Sequence, residues 1–139
     1  MPKYTVRVYA IIISEKDHIL LLNETFQDRS FTKFPGGGLE DGEGTLDALR
    51  RELKEELNLD SFEVDHFYTT DFFIESAFHK DTQVLSVYYK LRQKVNSKGI
   101  ILQTEDQKLQ SMKWISLREL NENSVTFPID KKVVGLILS

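Results

Sequence analysis

The chain has 139 residues, 18 basic against 22 acidic, for a formal charge of −4 at pH 7. Its 40% hydrophobic and 29% charged content suits one globular domain over residues 1–139 rather than a disordered chain. With no cysteine there is no disulfide, thiolate zinc site, iron–sulfur cluster or cysteine nucleophile, and the mild acidity argues against a nucleic-acid groove binder.

Residues 4–14 are rich in Val, Ile, Tyr and Thr and predict a strand. A polar turn at 15–18 leads to a second short strand at 19–22, so the pair reads as a hairpin. Residues 23–30 are polar and predict a loop, and 31–34 a short strand that stops at Pro35. Five of the nine residues 36–44 are glycine, which predicts irregular structure. Residues 45–57 predict a helix, because Leu46, Leu49, Leu53 and Leu57 recur at helical spacing. Residues 62–74 and 83–92 are β-rich, with a turn at 94–99. A short strand is expected at 113–115, then a helical turn from Ser116 through Leu120, and a last helix at 130–139 opened by Pro128. The order predicts a mixed α/β (α+β) fold with one mixed sheet and helices packed on its faces. No apolar run nears the roughly 20 residues of a membrane span. The run 10–13 is too short for a signal-peptide core, so the expected location is the cytoplasm.

The acids on the 45–57 helix are badly placed for stability. At 100° per residue, Glu52, Glu55 and Glu56 share an arc of about 100° beside the leucine stripe, with Ala48 leaving space on the same arc. Glu52–Glu55 and Glu52–Glu56 are like-charge pairs, each costing about 0.2–0.5 kcal/mol. Glu55 and Glu56 also sit in the last turn, where the helix dipole disfavours anions. A solvated face with Asp47–Arg51 and Arg51–Glu55 pairs is the ordinary account of such a helix. A divalent cation would offset both penalties. Carboxylates are hard donors, and His66, the nearest histidine, is remote in sequence, which favours Mg²⁺ or Mn²⁺ over zinc. Just upstream, Pro35-Gly36-Gly37-Gly38 permits a bent backbone close to a ligand. It matches neither a dinucleotide fingerprint, since Asp41 stands where glycine is needed, nor a P-loop. A carbonyl there can turn toward a cation held by the glutamates.

From Gly37 through Glu43 to Arg51-Glu52-Leu53-Lys54-Glu55-Glu56-Leu57-Asn58-Leu59, the spacing resembles the Nudix box. Only Asn58 departs, standing where the family has glycine. That position ends a helix in the left-handed region, where Asn is the usual substitute. The resemblance implies an α/β/α sandwich with a mixed sheet, and hydrolysis by water of a pyrophosphate in a nucleoside diphosphate linked to another group. By position it implies Gly36 (through its carbonyl), Glu52, Glu55 and Glu56 as metal ligands, with Glu55 and Glu56 catalytic. Glu43 and Arg51 would orient the glutamates, Arg51 pairing with a loop carboxylate such as Glu43. The general base belongs to the box in some members and to a distant loop in others; Glu105 occupies that loop here.

Subclass marks are missing. Ile74 stands where ADP-ribose hydrolases tend to have proline, and Ser76 and Ala77 where dinucleoside-polyphosphate hydrolases tend to have tyrosine. Phe31, Phe34, Phe72, Phe73, Phe78, Tyr88 and Tyr89 are candidates for base stacking, and Arg29 and Lys33 for phosphate contacts. The expected partner is a small-molecule nucleotide, with no nucleic acid and no membrane, acting on a monomer or homodimer. The rival readings are a non-catalytic nucleotide sensor, disfavoured because all four box glutamates are present, and an RNA-end hydrolase, disfavoured by the lack of a Lys/Arg run.

Overall fold

The apolar N-terminal run forms β1 (Lys3–Ile11), whose alternate side chains face opposite ways. The computed structural model describes residues 3–103 and 109–139. Within them follow β2 (His18–Phe26), β3 (Arg29–Lys33), β4 (Gly36–Gly38), α1 (Thr45–Leu57), β5 (Val64–Thr69), β6 (Thr82–Leu91), β7 (Leu109–Ser116) and α2 (Pro128–Leu138). Single 3₁₀ turns at Ser97–Gly99 and Glu122–Ser124 connect the later elements.

The strands make two sheets where one was expected. A mixed four-stranded sheet runs β4-β1-β6-β5, with β1 and β6 parallel, and an antiparallel three-stranded sheet runs β3-β2-β7. The two form one layer. Val8, Ala10 and Ile12 join Leu20 and Leu22 in a core closed by Ala48, Leu49, Leu53 and Leu57 of α1. Tyr9 and Ile11 join Ile19, Leu21, Phe34 and Tyr88 in a second core closed by Val133 and Val134 of α2. Helices on both faces of a β layer make an α/β/α sandwich. Each fully buried Leu or Ile contributes about 1.5–3 kcal/mol, so packing overrides the unfavourable charges of α1.

Four further expectations change. Residues 23–26 extend β2 and were expected as loop; Gln27 and Asp28 both take positive φ, at 52° and 61°, and close a two-residue hairpin without the usual glycine. Gly36–Gly38 form an edge strand, with Gly37 opposite Val8. The β-rich stretch 62–74 narrows to β5, and the strand expected at 113–115 lengthens to β7. No helix among the described residues is long and apolar enough to cross a membrane.

Candidate active site

The edge strand β4 exists because its residues have no side chains. A Cβ at Gly36 would fall 2.0 Å from the Val8 carbonyl oxygen, and Gly36 holds φ at +141°. A Cβ at Gly37 would fall 2.6 Å from the carboxylate of Glu52. Glycine therefore brings β4 against the α1 acids. The Gly36 N–H donates to Glu56 Oε1 at 2.8 Å, and the Glu52 carboxylate lies on Gly37. Ala48, fully buried one turn before Glu52, keeps that face of the helix low.

Arg51 organises the loop between β4 and α1. Its Nε donates to Glu43 Oε2 at 2.7 Å and its Nη2 to Glu43 Oε1 at 3.0 Å, a bidentate pair. Nη2 also reaches the Gly38 carbonyl at 2.9 Å, and Nη1 reaches Glu52 Oε1 at 3.0 Å. Glu55, largely exposed, meets Arg51 at 3.4 Å. The Arg51 guanidinium and the Glu40 N–H hold the Glu43 carboxyl below the usual carboxylate range. The pairing expected between Arg51 and a loop carboxylate is thus present. The Asp47–Arg51 pair is not, among the described residues: Asp47 turns back to accept from the Gly44 N–H at 2.9 Å. Asn58 ends α1 at φ 53°, ψ 34°, the left-handed position its place in the sequence predicts.

Glu56 is the buried acid of the set. Burial pushes its carboxyl up to about 7, with Glu52 and Glu24 adding to the rise and Lys33 opposing it. Burial also raises Glu52, against the opposing pull of Arg51. Lys33, an expected phosphate contact, is itself almost fully buried. Its Nζ donates to the Gly36 carbonyl at 2.9 Å and lies 3.5 Å from Glu56 and 3.9 Å from Glu24. Burial alone would lower its pKa, but the two carboxylates outweigh that and hold it above the ordinary lysine value. Arg29, the other expected phosphate contact, stands 4.7 Å over the Phe78 ring and donates to the Ala77 carbonyl at 3.3 Å. Glu105 lies outside the described residues.

Beside Glu24 and Lys33 opens a cavity of about 290 Å³. Phe26, Phe31, Phe78 and Phe127 wall it, in edge or tilted contacts with ring centroids 4.9–5.8 Å apart. Phe31, Phe78 and Tyr88, of the stacking candidates, line it; Phe34 is buried in the core, Phe72 and Phe73 are exposed, and Tyr89 bonds the Thr45 hydroxyl at 2.7 Å. Arg7, Glu24 and Asp130 also line it. Sequence reasoning missed these three, because each is a single charged residue in a segment that reads as ordinary strand or helix.

The donor chemistry suits a hard divalent cation. Among the described residues, Glu24, Glu43, Glu52, Glu55 and Glu56 gather around two direct cationic partners, Lys33 and Arg51. Burial, with the Glu52 and Glu24 carboxylates adding to it, is what raises Glu56, and Gly37 supplies a cradle that a Cβ would fill. As they stand, no three of the described His, Cys, Asp or Glu side chains converge on one point. The α1 glutamates are each drawn to a protein cation.

Comparison with known proteins shows the family and the fold. The chain is 42% identical over 53 residues to the human 8-oxo-dGDP phosphatase NUDT18, a stretch covering 37% of this chain and 16% of that protein. It is 43% identical over 60 residues to an RNA pyrophosphohydrolase of Ruthia magnifica subsp. Calyptogena magnifica, covering 43% of this chain and 32% of the other. The chain thus spans less than a third of the curated relatives it matches. Its fold is that of the MutT NUDIX hydrolase from Burkholderia pseudomallei, with a TM-score of 0.77 at 17% identity over 97% of this chain and 98% of that one. A family model described as the NUDIX domain matches residues 3–134, and the chain belongs to that family.

Proposed function

We propose that this protein is a divalent-metal-dependent hydrolase that cleaves a pyrophosphate bond in a small nucleotide derivative, with water attacking phosphorus. One observation carries the reading: a surplus of carboxylates pressed onto Gly36–Gly37 sits directly beside an aromatic-walled cavity. The two curated relatives, named as a phosphatase of a nucleoside diphosphate and a pyrophosphohydrolase, support it.

Glu52, Glu55, Glu56 and the Gly36 carbonyl would hold Mg²⁺ or Mn²⁺. When bound, the ion supplies charge neutralisation on the pyrophosphate and a lower pKa for water. Arg51 fixes Glu43, Glu52 and Glu55 in one network, which sets their orientation before substrate arrives. Lys33 favours the ionised form of Glu56, which burial alone would protonate. The cavity takes the nucleobase, and Glu24 and Lys33 mark the boundary between base and phosphates. Glu105 is assigned as general base, with a box glutamate as the competing choice.

The test is hydrolysis of a nucleotide panel with Mg²⁺ or Mn²⁺: nucleoside triphosphates, oxidised triphosphates, nucleotide sugars, ADP-ribose, NADH, dinucleoside polyphosphates and a 5′-triphosphate RNA. The expected result is turnover of a small nucleotide that EDTA abolishes. Preference for the RNA moves the assignment to RNA ends. No turnover on any member overturns the enzymatic reading in favour of a nucleotide sensor. Glu105→Gln is expected to lower kcat by about 10²–10⁴-fold, the usual contribution of a general base. A loss below tenfold returns that role to the box.

A further inference from the structure

Lys33 stands where the strand pattern calls for an apolar residue. It takes an inward-facing position of β3, two residues after the buried Phe31, and is itself buried. Burying an ammonium is costly unless oxygens surround it. Three oxygens do so here. The Lys33 Nζ donates to the Gly36 carbonyl at 2.9 Å and lies 3.5 Å from Glu56 Oε2 and 3.9 Å from Glu24 Oε2. The Tyr9 ring covers another side, with its centroid at 5.7 Å. Two of the three oxygen groups, the Gly36 carbonyl and the Glu56 carboxylate, belong to the set assigned above to the divalent ion. Magnesium bonds oxygen at about 2.1 Å, so an ion on the Gly36 carbonyl stands within about 5 Å of the ammonium. Like charges that close repel strongly in a buried site. Lys33 and Glu24 also line the cavity, which gives the lysine side chain a way out.

Resting on the metal-dependent reading above, we propose that Lys33 is a tethered cation that competes with the divalent ion for the Gly36 carbonyl and the Glu56 carboxylate, and that leaves them for the cavity when the ion binds. Lys33 thereby sets how tightly the ion is held. It also offsets carboxylate charge on its own, so the fold of the wild type leans little on the ion. A lysine that serves only as a buried ion pair behaves in the opposite way. Its removal leaves Glu56 buried without that partner and disturbs the site, which weakens any ligand bound there. The competing lysine, once removed, leaves the same oxygens to the ion alone. The sign of the change in metal affinity therefore separates the two roles.

The experiment is calorimetric titration of Mn²⁺ into the full chain, wild type and Lys33→Met, at about pH 8, above the ordinary carboxylate range. No nucleotide is present, so the outcome is independent of hydrolysis. Lys33→Met is expected to bind Mn²⁺ about 10–100-fold tighter than wild type, the value of one hydrogen bond to a charged group. Its Tm should also rise more than that of wild type when Mn²⁺ replaces EDTA. Lys33→Gln keeps an N–H for the Gly36 carbonyl without the charge. It should tighten Mn²⁺ as well, and it carries the test if Lys33→Met does not fold. The displacement itself is read in wild type by reductive methylation with formaldehyde and cyanoborohydride, followed by mass spectrometry of the Lys33 peptide. Lys33 should be protected in EDTA and reactive in saturating Mg²⁺. Variants that bind Mn²⁺ no tighter than wild type, or a Lys33 equally protected with and without Mg²⁺, overturn the proposal and leave the metal-dependent reading standing. Mn²⁺ binding by neither wild type nor variants overturns both.

Discussion

The carboxylate site and the aromatic cavity share Glu24 and Lys33 but are built in opposite ways. Apart from those two, the carboxylate site comes from one stretch, Gly36 to Glu56, and its acids are held by Arg51 and Lys33. The cavity gathers residues from β1, β2, β3, β6, the loop before β6 and the start of α2, with Arg7 bonded to Tyr9 and Asp130 to Tyr88. Chemistry shared by a family can be written in a contiguous motif, because helix and turn geometry fixes the spacing. The cavity is written in side chains that only the fold brings together.

Glu56→Gln is the largest break expected on the carboxylate side. It keeps the shape and the acceptor for the Gly36 N–H but removes the charge facing Lys33. Turnover should fall by about 10²–10³-fold or more, the cost of losing a group that stabilises developing charge, with an unchanged far-UV spectrum. Unaltered kcat would remove Glu56 from the site.

On the cavity side the large effect is on stability. Burial pushes the Asp130 carboxyl up from 3.8 to about 6, against the Tyr88 hydroxyl and the charges of Lys33 and Arg7, which favour ionisation. The folded state therefore holds a proton on Asp130 that the unfolded chain has already released. Its contribution is complete below about pH 4 and is lost as pH rises through 6. Two units correspond to ~3 kcal/mol. Chemical denaturation across pH 4–7 should show that decline in wild type and a flatter profile in Asp130→Asn. Equal slopes would mean that Asp130 ionises freely in the fold.

Arg51→Lys sharpens the comparison further. A lysine keeps the charge but cannot span Glu43, Glu52, Glu55 and the Gly38 carbonyl with one planar fork. Activity should fall by about 10–100-fold, as for lost groups that orient metal ligands, with the preference among nucleobases unmoved. A changed base preference would show that the two regions are coupled.

How much of this was legible follows the same division. The Leu46, Leu49, Leu53, Leu57 stripe announced α1, and Asn58 announced its end, because both are local backbone rules. The Arg51–Glu43 pair was readable for the same reason. The strand at Gly36–Gly38 was not: a glycine run signals freedom, and only the close approach of the Val8 carbonyl shows why that freedom is used to pair with β1. The hairpin at Gln27–Asp28 was hidden because neither residue is the Asn or Gly that advertises positive φ. Arg7 and Asp130 could not be placed on one cavity in advance, since 122 intervening residues carry no periodicity linking them. Lys33 was found for its charge, while its partners, the Gly36 carbonyl and the carboxylates of Glu24 and Glu56, depend on the folded sheet.

Arg29 gives the smallest expected effect and divides the two regions most finely. As a phosphate contact it would belong to the carboxylate side. The structure instead sets its guanidinium over Phe78, at the cavity wall, and ties it to the Ala77 carbonyl. An exposed cation–π contact contributes about 0.5–1 kcal/mol, a two- to fivefold change in affinity. Arg29→Ala should therefore raise KM by that factor, through a looser Phe78, and leave kcat unchanged. Phe78→Leu should reproduce the effect, and the double variant should add little, because both changes remove the same contact. A tenfold fall in kcat from Arg29→Ala, absent in Phe78→Leu, would return Arg29 to the phosphates.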